Sequence, residues 1–64
     1  MEHVIETAAL DDAVKSGKTV RMIFNTGYQT DAVILGHDKN TISCSVHGKY
    51  WLVYKRNVST IVFE

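Results

Sequence analysis

Two periodicities divide the chain. Over residues 5–16, Ile5, Ala9, Leu10, Ala13 and Val14 recur at spacings of three and four, which draws a narrow apolar stripe along one face of a short helix. Thr7 is placed to cap its start, Asp11 and Asp12 stand in its first half where acids suit the positive end, Lys15 lies near the other end, and Gly17 can close it. A helix this short is marginal alone in water and needs a sheet to lie on.

From Gly17 onward the period is two. Val20, Met22 and Phe24 alternate with Arg21, Ile23 and Asn25; Tyr28, Thr30, Ala32 and Ile34 with Gln29, Asp31, Val33 and Leu35; Ile42, Cys44 and Val46 with Thr41, Ser43 and Ser45. Tyr50 to Tyr54 is a continuous apolar and aromatic run, and Val58 to Phe63 follows it. The turns fall at Asn25-Thr26-Gly27, at Gly36 to Asn40 and at His47-Gly48-Lys49. This predicts strands over about 18–25, 28–36, 40–46, 49–54 and 58–63, and a small all-β barrel or sandwich behind one helix. No repeat, linker or low-complexity tract interrupts it, so residues 1–64 read as a single domain. The two most apolar strands, 50–54 and 58–63, are joined only by Lys55-Arg56-Asn57. If they form the open ends of the sheet, their edges can pair with another copy, and such head-to-tail pairing closes into a ring when the rotation permits.

Size strengthens that expectation. A chain of 64 residues buries only about 60% of the surface its unfolded form exposes, and small cores usually need a staple or a partner. Cys44 is the only cysteine, which excludes an internal disulfide and a multi-cysteine zinc site and fits a reducing, intracellular setting. The acidic N-terminus predicts no signal peptide, and no apolar run approaches a membrane span. The expected setting is therefore cytoplasmic, with no membrane partner.

Seven Lys and Arg balance seven Asp and Glu, which argues against a general polyanion binder. The distribution is uneven. Residues 1–38 hold six acids (Glu2, Glu6, Asp11, Asp12, Asp31, Asp38) and three bases, whereas residues 39–63 hold Lys39, Lys49, Lys55 and Arg56 and no acid. The second half therefore offers either a basic binding surface or a lysine-decorated edge that discourages aggregation.

The segment Tyr54-Lys55-Arg56-Asn57-Val58-Ser59-Thr60-Ile61 resembles the signature of the bacterial Hfq family, the Sm-like RNA chaperones. The likeness extends through His47-Gly48-Lys49-Tyr50-Trp51-Leu52-Val53, especially to Gram-positive members. Gly27-Tyr28-Gln29 is similar to the family's Gly-aromatic-Gln, and Asp38-Lys39 to the closing Asp of the first Sm motif. The resemblance spans about residues 5–62. It implies a mainly β Sm-like fold, in which one N-terminal helix caps a strongly bent, five-stranded antiparallel, SH3-like barrel. It also implies a homohexameric ring that binds single-stranded RNA, both small regulatory RNA and mRNA, on two faces in post-transcriptional and stress regulation.

The resemblance places Lys55, Arg56, Lys39, Asn40, Glu6 and Tyr54 at a proximal pore. In a monomer Lys55 and Arg56 are two ordinary surface charges; in a sixfold ring they become roughly a dozen positive charges about one axis, which attract phosphate. Arg56 replaces a family histidine and can fork onto a phosphate or a base edge. Asn40 stands where the family has a stacking aromatic and Glu6 where it has an RNA-contacting glutamine, while Lys39 adds charge beside Asn40. Tyr54 reads first as a packing residue with its hydroxyl toward a partner, in the ring a neighbouring subunit. Ser59 and Thr60 suit hydrogen bonds between subunits.

The implied distal face comprises Ile23, Gly27, Tyr28, Gln29, Asp31 and Thr60. Ile23 replaces a family aromatic and Asp31 a polar or basic residue; Tyr28 suits either base stacking or plain packing. Lys15 and Lys18 stand at the rim, where they serve either RNA or the negative end of the helix. The departures at Asn40, Glu6, Ile23 and Asp31 support an alternative: a ring of altered RNA selectivity that competes with or joins another Hfq.

Other chemistry is thin. His3, His37 and His47 lack metal-site spacing, and Cys44 with His47 makes only half a ligand set. Cys44 alternates with Ile42 and Val46 and reads as a small buried hydrophobe; Trp51 reads as core or interface. Asp38 is expected to organise its turn through nearby backbone donors. With no nucleophile elbow, phosphate loop or metal set, no catalytic residue, cofactor or small-molecule substrate is assigned.

Overall fold

In a computed structural model, residues 7–63 are described. Helix α1 (Thr7–Ser16) precedes strands β1 (Thr19–Phe24), β2 (Gln29–His37), β3 (Thr41–Val46), β4 (Lys49–Tyr54) and β5 (Val58–Val62), with a 3-10 turn over Lys55–Asn57 between β4 and β5. The expected helix start at Ile5 and the site residue Glu6 lie outside the described residues.

The helix buries Leu10 and Ala13 on the sheet, with Val14 packed beside them. Gly17 closes it, its N–H donating to Ala13 O at 3.1 Å. Two details depart from the sequence expectation. Thr7 is itself helical rather than the residue before the helix, and no acid occupies the first described turn. Asp11 and Asp12 lie beyond the reach of the helix's positive end, which falls off within one turn. Asp11 instead meets His37 Nε2 at 2.6 Å, so it ties α1 to the end of β2.

All strand pairs are antiparallel, in the order β4-β3-β2-β1-β5. Alternation puts Val20, Met22, Ala32, Ile34, Ile42, Cys44, Val46, Val53 and Val58 inside, with Phe24, Trp51 and Ile61 packed against them. Burial pushes the Cys44 thiol pKa up, as expected of an inert core residue.

The sheet has to bend. In a flat sheet, four inter-strand steps would separate β4 from β5 by about 19 Å. The chain joins them with one three-residue 3-10 turn, which rises only about 6 Å. Two register shifts assist the bend. One between Ile34 and Gly36 leaves Leu35 unpaired and half-exposed, and one on β5 leaves Ser59 unpaired; an extra residue increases local twist. The first shift also turns His37 inward, opposite the buried Ile42.

The β3–β4 hairpin turns on His47 (φ 51°) and Gly48 (φ 80°). Positive φ at both central residues is the turn whose twist matches the flanking strands. The outcome is an open, bent sheet with β4 and β5 at its two ends. On β4, Tyr50, Leu52 and Tyr54 all point away from the core and are 69%, 58% and 50% exposed. At the other end Val62 and Phe63 are exposed as well.

Candidate nucleic-acid interface

Lys39, Asn40, Tyr54, Lys55 and Arg56 line one concavity of about 350 Å³. They come from two separate stretches, the β2–β3 turn and the β4–β5 connection. A backbone hydrogen bond joins the stretches: Lys55 N–H donates to Asn40 O at 2.8 Å. It extends the β3–β4 ladder, in which Thr41 pairs with Tyr54, by one residue into both turns.

Asp38 holds the first stretch. Its Oδ1 accepts from Asn40 N (2.9 Å), Thr41 N (2.8 Å) and Thr41 Oγ1 (2.9 Å), and its own N–H donates to Thr41 O at 2.9 Å. The backbone donors of Asn40 and Thr41, then the Thr41 hydroxyl, hold its carboxyl below the ordinary value of 3.8, and nearby Lys55 adds to this. Asp38 organises the turn as expected, and among the described residues Lys39, Lys55 and Arg56 form no salt bridge.

Asn25 holds the second stretch. Its Nδ2 donates to Arg56 O at 2.7 Å and its N–H to Asn57 O at 2.9 Å. The Arg56 guanidinium lies 5.4 Å from the centroid of the Tyr54 ring, within range of a cation–π contact. Sequence reasoning read Asn25 only as a turn residue. Its role depends on β5 returning beside β1, which no local pattern reveals.

The residues assigned to the distal face fall into a second group. Ile23 pairs with Gln29 on one side and Thr60 on the other, making a row across β2, β1 and β5. Gly27 (φ 94°) and Tyr28 complete the adjoining turn, where Gly27 N–H donates to Phe24 O at 2.9 Å. The Tyr28 ring is half-exposed and packs at 5.8 Å, tilted, on Phe24, so it combines packing with an open surface. Asp31 is not a bare negative charge: it pairs with Arg21 Nε at 3.5 Å across the β1–β2 ladder. Arg21 and His47 line the same shallow hollow as Tyr28, Gln29 and Asp31. Both were missed, although the symmetric hairpin around Asn25 to Gly27 places residue 21 opposite 31 by counting alone.

Lys15 and Lys18 are not brought into either group. Lys15 sits in the last turn of α1, and Lys18 borders a hollow with Ala13, Ser16, Val20 and Phe63. Among the described residues no group of three or more His, Cys, Asp or Glu is placed to hold a metal, and no helix is long and apolar enough to cross a membrane.

Known proteins resemble this chain in sequence and in fold. The family model of the Hfq protein matches residues 5–64. The RNA-binding protein Hfq of Geobacillus sp. (strain WCH70) is 35% identical over 60 residues, covering 94% of this chain and 81% of that protein. The RNA-binding protein Hfq of Clostridium botulinum (strain Eklund 17B / Type B) is 27% identical over 63 residues, covering 98% and 82%. A crystal structure of Hfq, described as a pleiotropic translational regulator, superposes with a TM-score of 0.84 at 32% identity, covering 88% of this chain and 93% of that one. The bent sheet behind one helix is thus the Sm-like fold, and this chain belongs to the Hfq family.

Proposed function

We propose that this chain, as one domain over residues 1–64, is an RNA chaperone of the cytoplasm that holds single-stranded U-rich or A-rich RNA on a homohexameric ring. Small regulatory RNAs and mRNAs are its partners, and post-transcriptional regulation under stress is its role. Two RNA segments on one ring meet at high effective concentration, so the protein works by holding rather than by chemistry. The observation that carries the proposal is the meeting of Lys39, Asn40, Tyr54, Lys55 and Arg56 in one concavity. The ring is supported by the two sheet ends: among the described residues β4 and β5 each pair along one edge only, and the exposed Tyr50, Leu52 and Tyr54 are apolar surface suited to a second copy. Repetition around an axis then concentrates Lys55 and Arg56 at a pore. Ile23, Gly27, Tyr28, Gln29, Asp31 and Thr60 form the second RNA face, and Lys15 and Lys18 the rim.

Native mass spectrometry with and without oligo(U) and oligo(A) tests the proposal. Six-subunit rings that take up at least one homopolymer support it, and a monomer that binds neither overturns it. The exposed Asn40, which offers a base no aromatic platform, favours a second reading: a ring of altered selectivity that competes with or joins another Hfq. Tight, selective binding of either homopolymer rules that reading out.

A further inference from the structure

Period two along β2 puts Ala32 and Ile34 on the core face and would put Gly36 next. The register shift between Ile34 and Gly36 brings His37 to that face instead, opposite the buried Ile42. Its side chain is only 12% exposed, and a polar ring so placed needs a hydrogen-bond partner. The partner comes from another element: His37 Nε2 lies 2.6 Å from Asp11 Oδ1 on α1, and the Asp11 side chain is itself 59% exposed. One bond thus joins the helix to the last residue of β2, immediately before the turn that Asp38 organises.

Among the described residues, Asp11 alone makes an ion-pair contact with His37. On α1, Asp12 lines a separate hollow with Phe63, and Lys15 lies one turn beyond Asp11. In the following turn, Asp38 gives Oδ1 to three donors of its own, with Lys55 nearby, and Lys39 lines the basic concavity. Across the ladder, β3 presents Thr41, Ile42, Ser43 and the buried Cys44 thiol. The β1 ladder reaches only as far as Val33 and brings no charge to this end of β2.

A neutral imidazole can donate Nε2–H to the carboxylate. A protonated one donates the same hydrogen with full charge, and such bonds are roughly twice as strong. Histidine ordinarily changes charge between about pH 5 and 8, whereas an aspartate stays ionised down to about pH 4. We propose that His37 and Asp11 form a protonation-sensitive clasp, which closes α1 onto the end of β2 most tightly when the imidazole is charged and slackens as it becomes neutral. The clasp concerns how the helix is held and does not depend on the RNA-binding reading.

The test follows thermal melting and the amide hydrogen exchange of α1 at about pH 5.5 and about pH 8, at one protein concentration. Wild type is compared with Asp11→Asn, which keeps an acceptor without the charge, and with His37→Gln, which keeps a donor that cannot be protonated. At the lower pH, Asp11→Asn is expected to lower Tm by about 5 °C and to speed α1 exchange relative to wild type. At the higher pH both differences should nearly vanish. In a His37→Gln background, Asp11→Asn should show no pH-dependent loss, and Asp12→Asn alone should leave both readouts unchanged. A deficit of equal size at both pH values makes the bond a fixed tie and overturns the clasp. So does an Asp11→Asn variant that matches wild type at the lower pH, or an Asp12→Asn loss with the same pH profile.

Discussion

The basic concavity and the Ile23–Gln29–Thr60 row both touch the β1–β2 turn, yet they are made of different materials. In the concavity three cations, Lys39, Lys55 and Arg56, stand together, and the adjacent acid, Asp38, spends one carboxylate oxygen on three donors of its own turn. On the row, the charges present cancel in the Arg21–Asp31 pair, and the exposed surface is the Tyr28 ring propped on Phe24. A polyanion should therefore feel the first region through its phosphates and the second through its bases. The chain's zero net charge hides this division, and the division predicts that salt sensitivity separates the two regions.

The largest effect should follow removal of the cations. Replacing Lys55 and Arg56 together by Ala is expected to weaken oligo(U) binding about a hundredfold at low salt, and to flatten the log–log salt slope by about 0.7 for each phosphate that is no longer neutralised. Fluorescence anisotropy at several salt concentrations reads both quantities. Tyr28→Ala is the mirror experiment. A lost stack costs about 1–3 kcal/mol per base, so oligo(A) affinity should fall about tenfold with no change of slope. A slope that changes with Tyr28, or does not change with Lys55 and Arg56, would erase the distinction between the two regions.

Asp38→Ala sharpens the comparison through stability. Because the folded carboxyl sits below its ordinary value of 3.8, its contribution is fully present above that value and is lost as pH falls through the folded one. The variant should melt below wild type at neutral pH, and the gap in Tm should close on acidification below about pH 4. The smallest effect is expected at the exposed Arg21–Asp31 pair. Arg21→Ala should cost less than about 1 kcal/mol of stability by chemical denaturation, while the uncovered Asp31 weakens oligo(A) slightly and mainly at low salt.

The parts of this molecule that obey local rules were legible in its sequence. Alternation placed Val20 and Met22 on one face of β1, and Ile42, Cys44 and Val46 on one face of β3, and each of these is buried. The sequence allowed the two most apolar runs to be the open ends of the sheet, and β4 and β5 occupy those ends. What escaped depends on interactions between distant segments. The extra residue at Leu35 turns His37 inward to meet Asp11, whereas period-two reading gives no sign of a shift. Asn25 supports Arg56 across 31 positions of sequence. The Arg21–Asp31 pair was recoverable from hairpin symmetry, but Asp31 was read alone, as a departure from the family's polar or basic residue. Lys39, Asn40, Tyr54, Lys55 and Arg56 were grouped through family resemblance; their convergence follows physically from the Lys55–Asn40 backbone bond and the tight 3-10 turn.

The most direct test is the salt dependence of oligo(U) binding to wild type and to the Lys55→Ala/Arg56→Ala variant, measured beside oligo(A). The basic concavity predicts a steep oligo(U) slope that the double replacement flattens, and a shallower oligo(A) slope that it leaves alone. An oligo(U) slope that survives removal of both side chains would contradict the assignment of this concavity as the phosphate-binding surface.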